Sequence, residues 1–385
     1  MSSPVCKMLG LDVPIFAFSH CRDVVAAVSK AGGMGVYGAA LHSDEQIAID
    51  LKWIEEQVGG RPYGVDLLMP SKYVGQDVGG LDPEAAHSLV PEAHKAFLED
   101  MMARHGVPHS EADDDAHGVF GGTRYTAHQA EGILEAVVSH RPTLRVSALG
   151  TPPAEVVERA HAAGMHVGAL AGQVKHALRH KDAGVDIIIA QSYEAAGHTG
   201  TIGGMVLVPE IVDAVAPTPV LMAGGIGRGR QFAAALALGA QGVWCGSVWL
   251  TTVESELSDF MRQKLIDATV EDTARTRSYT GKHARFLKTP WSEEWDRPDT
   301  PDPLPTPLQS AAISKYLLRI RRVVNSGAAV PNQGAGLLAS HPVGQIVGSL
   351  NRVTSCRQVI MDMMEEFIEA AESIKGFLDE GDAGA

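Results

Sequence analysis

The chain has 385 residues, enough to bury a large core as one large domain or two ordinary ones. It is 45% hydrophobic and 20% charged, with 41 glycines, the composition of a globular protein with many tight turns. The net charge of −14, with no long Lys/Arg block, argues against nucleic acid or an anionic membrane as main partner. An anionic ligand would have to be held locally, by backbone N–H groups or a helix N-terminus. Cys6, Cys21, Cys245 and Cys356 are scattered without a C-x-x-C pair, which predicts free thiols and no zinc site. No signal-like N-terminus and no run of 18 uncharged apolar residues is present. A cytoplasmic protein is expected.

Short Val/Ile/Leu-rich runs alternate with helix-period segments. The first strand is VPIFAF (13–18), followed by a helix at 22–33 stopped by glycine. A second strand (34–39) leads to a helix at 43–58 opened by a Ser cap, then a third strand, YGVDLLM (63–69). After an irregular stretch come a helix (126–140), a fourth strand (144–150), a helix (153–164) and a fifth strand (166–171). A helix at 173–184 and the sixth strand, VDIIIAQ (185–191), follow. Then come a helix (209–216), the seventh strand (219–225), a helix (229–240) and the eighth strand (242–247).

A doubly wound sheet usually stops at five or six strands. Eight continuous-core strands alternating with helices predict an α/β fold of the (β/α)8 (TIM) barrel type. The barrel covers 1–255, with an insertion of about 70–125 after strand three. That insertion holds a helix near 91–105 and the acidic EADDDAH, and is read either as a lid over the site or as a solvated excursion. Residues 256–385 form a helical C-terminal extension with helix-period segments at 254–270, 308–324 and 355–378. A Pro-rich connector spans 297–307. The extension is expected to pack across the barrel mouth, and its apolar faces could meet a second subunit. No solenoid repeat is present.

Catalytic groups of such barrels lie past the C-terminal strand ends, and their phosphate sites use the loops after strands seven and eight. Here those loops read AGGIGRGR (223–230) and CGSVW (245–249). Gly224 and Gly225 lack Cβ and let N–H groups approach a phosphate, with Gly246 and Ser247 as a second arm. Plain tight turns are the alternative. The GMGVYG stretch (33–38) matches GxGxxG but forms a strand rather than following one, so it is not a dinucleotide site. Gly32 and Gly33 instead end a helix.

Strand six runs into QSYEAAGHTGTIGG (191–204), whose one His, His198, faces the phosphate arm. It could be a general base or hydrogen-bond donor, or a loop histidine that only bonds neighbouring backbone. Glu194 suits orienting the loop by accepting N–H bonds, and Gln191 suits bonding a ring edge. Asp66, an acid in an apolar strand, should point into the mouth, as site residue or structural partner.

AQSYEAAGHTG (190–200) and VPEIVDAVAPTPVLMAGGIGRGRQFAAALALGAQGVWCGSVWLTTVES (208–255), with AGGMGVYGAA (31–40) and YTGKHARFLKT (279–289), resemble the nitronate monooxygenase (2-nitropropane dioxygenase-like) family of flavin-dependent barrels. The resemblance covers roughly 10–68 and 140–290. It implies FMN, its phosphate at Ala223, Gly224, Gly225, Gly246 and Ser247. Gln191, Thr199 and Gly200 would contact the flavin, and His198 would be catalytic. Ala17, Phe18 and Ser19 would fall where strand one meets the flavin ring, with Asp66 near it. The implied reaction is oxidative denitrification of alkyl nitronates with O2 to a carbonyl compound and nitrite. His198 would deprotonate a nitroalkane or hold the nitronate. Three features depart from the pattern: AFSHC where QAPM is usual, Asp66 where Asn is common, and the long insertion and tail. Two other readings stand beside it. One is an NAD(P)H-dependent FMN reductase of enoyl or acyl thioesters. The other is a flavin-free phosphate-sugar isomerase or lyase.

Overall fold

The computed structural model describes residues 3–69, 73–78, 80–109, 135 and 137–382. Eight parallel strands close into a barrel: β1 (Ile15–Ser19), β2 (Met34–Gly38), β3 (Gly64–Leu68), β4 (Leu144–Ala148), β5 (His166–Ala171), β6 (Ile187–Gln191), β8 (Val220–Ala223) and β9 (Gly242–Cys245). β1 pairs with both β2 (Phe16↔Met34) and β9 (Ile15↔Val243), which seals the ring. The TIM-barrel expectation holds. Most of the sequence-predicted helix at 126–140 and the acidic stretch of the insertion lie outside the described residues.

Strand alternation sorts the side chains into two layers. Phe16, Met34, Val36, Leu144, Val146, Ile187, Ile189, Leu221 and Trp244 fill the barrel as one cluster. A short helix, Pro4–Leu9, adds Val5, Cys6 and Leu9 to that cluster and plugs the end away from the site. Ala17, Val167, Ile188 and Val243 face outward onto Val24, Leu207, Ile211 and Phe232 of the surrounding helices. The glycines of GMGVYG serve packing. A Cβ on Gly35 would collide with the Val25 carbonyl of helix Arg22–Lys30.

One helix begins earlier than its sequence suggests. Pro209 reads as a first-turn residue, yet it sits inside Gly204–Val215. The helix can start at Gly204 because both carboxylate oxygens of Glu194 accept the Gly204 N–H, at 3.1 and 3.2 Å. The missing proline N–H would have met Met205 O, on a residue 70% exposed.

The insertion and much of the tail share a second core. Leu98, Met101 and Met102 of helix Glu92–Arg104 pack with Trp291, Trp295, Ile313 and Tyr316 of the tail. Glu99 ties the two segments through Lys315 and Arg319 of helix Leu308–Asn325, at 3.0 and 2.9 Å. This cap joins the barrel through a small sheet that the sequence did not announce. In it β11 (Ala284–Leu287) lies between β10 (Thr273–Thr276) and the two-residue β7 (Gly197–His198). The last helix, Cys356–Asp382, runs down the barrel's side. Gly229 of helix Gly229–Ala237 meets it so closely that a Cβ would strike Met363 O.

Candidate active site

The two glycine arms differ in conformation: only the first is left-handed. Gly224 and Gly225 have φ of +99° and +71°, the left-handed region that favours glycine. A Cβ on Gly224 would also run into Ser192 Oγ and lie 2.8 Å from Ala195 N. In front of Gly246 a Cβ would meet nothing within 4 Å, so that arm borders open space. The N–H groups of Gly224, Gly225, Gly246 and Ser247 enter none of the turn and cap hydrogen bonds of the described residues. Ala223 sits beneath them, buried, its carbonyl accepting Ser192 N–H at 2.9 Å.

Two tail elements pack against the glycine arms. Ser247 Oγ accepts the Gly344 N–H at 2.8 Å, which leaves the hydroxyl proton to donate elsewhere. Glu366 accepts the Gly229 N–H at 2.8 Å and pairs with Arg228 and Arg230. The N-terminus of helix Gly229–Ala237 is thereby occupied by the chain's own carboxylate. An anion is left with the glycine arms and the short 3-10 turn Ser247–Trp249.

The loop after β6 packs on this cradle. Ser192 Oγ, beside Gly224, is buried without a partner among the described residues. Glu194 orients the loop as its sequence position suggested, and its carbonyl also accepts Gln345 N–H at 3.0 Å. Gln191 ends β6 on the barrel's inner face, half-buried. Thr199 is buried, and its carbonyl accepts Arg275 Nη2 at 3.3 Å. Gly200 lies against Gly172, where a Cβ would be 3.0 Å from the Gly172 carbonyl.

His198 sits in β7, opposite Ala284 of β11, and is half-buried. Its Nε2 is 2.9 Å from Thr280 Oγ1, and Nδ1 has no partner among the described residues. Burial, with the positive charge of Lys282, pushes the imidazole down to about 4. The ring is therefore neutral near pH 7. Thr280 was quoted at the sequence level only as part of a family stretch. Contact across 82 positions has no local signal, so its role was not legible there.

At the strand-one end the three candidates separate. Phe18 faces the mouth, stacked on Trp244 at 6.1 Å. Ala17 turns its methyl into the outer layer, and Ser19 Oγ accepts Cys21 N–H at 3.1 Å. The two can offer the mouth only backbone. His20, the departure from the family's pattern, donates Nδ1–H to the Gly38 carbonyl at 2.6 Å, and burial holds its ring down to about 4. Asp66 points inward at the level of Gly38 and Val146, only 4% exposed and with no hydrogen-bond partner among the described residues. Burial pushes its carboxyl up to about 8 against the pull of Arg145. Arg145 lies on the sheet's other face, its Nη2 2.7 Å from Met69 Sδ. The shift favours the neutral carboxyl at neutral pH, a form that can donate as well as accept.

Comparison with known proteins adds the family. The nitronate monooxygenase family model matches residues 17–366. The chain belongs to the nitronate monooxygenase family. A Mycobacterium tuberculosis protein provisionally named a monooxygenase is 53% identical over 378 residues, covering 98% of this chain and 100% of that one. A Staphylococcus aureus (strain Newman) protein named probable nitronate monooxygenase is 27% identical over 374 residues, covering 91% and 97%. Among solved structures, nitroalkane oxidase from Streptomyces ansochromogenes superimposes with a TM-score of 0.76 at 25% identity, covering 96% and 99%. FabK from Thermotoga maritima shares the fold, with a TM-score of 0.71 at 22% identity over 98% and 99% of the two chains. This nitronate monooxygenase family member is thus an enzyme, a flavin-dependent oxidoreductase. Among its described residues no helix is long and apolar enough to cross a membrane, and no cluster could hold a metal ion.

Proposed function

We infer that the flavin is FMN and that the enzyme oxidises small nitronates or their parent nitroalkanes, with O2 as the electron acceptor. One observation carries the reading: a neutral, oriented imidazole, His198, on a loop that packs against the Gly224–Gly225 arm, where the glycine N–H groups enter no turn or cap hydrogen bond among the described residues. The fit to a phosphate-bearing flavin rests on those N–H groups, on the open space at Gly246 and on the orphaned Ser192 hydroxyl. Gly224, Gly225, Gly246 and Ser247 would hold the phosphate. Gln191 and Asp66 would bond the ring, and Phe18 and the backbone of Ala17 and Ser19 would border it. When bound, the flavin supplies the electron acceptor for the carbon that carries nitrogen.

The chain's own residues handle the proton and the charge. His198, neutral over the physiological range, can accept a proton from the carbon bearing a nitro group. The imidazolium so formed lies beside the anion it has just created, and that attraction offsets its low intrinsic basicity. Asp66, kept protonated, adds a hydrogen-bond donor without a competing negative charge.

The test is a spectrum of the purified protein, then nitrite release from ethyl nitronate and nitroethane in air. Flavin absorption with nitrite release that His198→Ala abolishes for nitroethane is the expected result. A colourless protein that binds no FMN removes the reading. Anaerobic bleaching by NAD(P)H, with no nitrite from either substrate, would assign the enzyme to thioester reduction instead.

A further inference from the structure

The hydroxyl of Thr280 is fully committed. Its Oγ1–H donates to the Lys282 carbonyl at 3.1 Å, and its oxygen accepts the Lys282 N–H at 3.3 Å. A hydroxyl owns one proton. Once that proton goes to a carbonyl, the oxygen can only accept from any further partner. The further partner is His198 Nε2, at 2.9 Å. With the hydroxyl proton on the Lys282 carbonyl, the hydrogen between them belongs to the ring. In a neutral imidazole the other nitrogen, Nδ1, then holds the lone pair.

We propose that Thr280, a residue of the cap, is a positioning residue that fixes His198 as its Nε2–H tautomer and so makes Nδ1 the proton acceptor of the site. The inference rests on the reading of His198 as the base of a nitroalkane- and nitronate-oxidising enzyme. Thr280 is only 6% exposed, and its own carbonyl accepts the hydroxyl of Thr306. The Ala284↔His198 pairing between β11 and β7 sets the distance. Base and positioning residue come together only when cap and barrel loop dock.

A threonine does this differently from a carboxylate. A carboxylate behind a histidine fixes the tautomer and also stabilises the imidazolium, raising basicity. A neutral hydroxyl fixes the tautomer alone. In the step it serves, the C–H bond next to the nitro group breaks and the proton forms an N–H bond at Nδ1. The bonding electron pair delocalises onto the nitro group, giving the nitronate. Nε2 keeps its hydrogen on Thr280 throughout, and no oxidant takes part.

The experiment uses the flavin-loaded full chain with 15N-labelled histidine. His198→Asn assigns the ring signals. The expected wild-type spectrum has a protonated Nε2 and an unprotonated Nδ1, conserved in Thr280→Ser and redistributed in Thr280→Val. Thr280→Val should lower kcat/KM for neutral nitroethane by about 10- to 100-fold. Pre-ionised ethyl nitronate, which needs no proton removed, should change by less than about threefold. Thr280→Ser should restore both. Equal losses on the two substrates, or a wild-type Nδ1–H tautomer, would overturn the proposal. A wild-type enzyme that releases nitrite from neither substrate would refute the functional reading instead, while the nitrogen shifts still report the tautomer.

Discussion

Gly344 gives its backbone N–H to Ser247 Oγ at 2.8 Å, in a buried contact between residues 97 positions apart. The tail is thereby tied to the loop proposed to hold a phosphate. Ser247→Ala strands the Gly344 donor, at a cost of about 1–3 kcal/mol. It also removes a hydroxyl from the cradle. Thermal unfolding without FMN should show the first loss, and an FMN titration should show a weakening of roughly tenfold.

Gly224→Ala adds a Cβ at φ +99°, against Ser192 Oγ and 2.8 Å from Ala195 N. Strain of about 1–3 kcal/mol is expected, with loss of FMN from the purified protein. Gly246→Ala, at a position facing open space with φ −116°, should fold with wild-type stability and yet bind FMN more weakly. Melting curves and flavin content measured on both variants separate a backbone defect from an intruding methyl group.

Asp66 sets a pH dependence of known sign. Its folded-state carboxyl sits at about 8, above the unfolded value of 3.8. Between these limits the folded state binds more protons than the unfolded one, so this group's contribution is present below about pH 4 and lost as pH rises towards about 8. Relative to Asp66→Asn, wild-type stability should fall by up to about 1.4 kcal/mol per pH unit in that window. Denaturant melts of the two proteins from pH 5 to 9 measure it, and parallel curves would show an ionised Asp66.

His198 titrates on the other side. Its depressed value, about 4, keeps the base unprotonated at neutral pH. kcat/KM for a nitroalkane should stay flat, as far as this group is concerned, from neutrality down to about pH 5. Below about 4 it should drop tenfold per pH unit. A break near 6.5 would mean a solvated, unpositioned imidazole.

Glu366→Gln removes the carboxylate that caps the Gly229 N–H and pairs with Arg228 and Arg230. Both arginines are well exposed, so a loss of only about 1 kcal/mol is expected. Because that helix N-terminus faces the tail helix, FMN affinity should hold. A large loss of FMN would move the phosphate onto helix Gly229–Ala237.

The sequence by itself determined the barrel and the strand ends at which the candidate site lies. Eight apolar runs at βα spacing allow few other closed packings, and local rules put glycine arms and a histidine at the ends of particular strands. Glu194 was legible as an orienting acid for the same reason, since its target N–H lies ten positions away. Tertiary structure alone decided the state of those groups. That burial pushes the Asp66 carboxyl up, that Ala17 turns outward while Phe18 faces the mouth, and that His198 reaches Thr280 depend on burial, strand parity and the docking of a cap built from two distant segments. Such contacts leave no periodic trace in a chain, because they arise between surfaces that exist only after each part has folded.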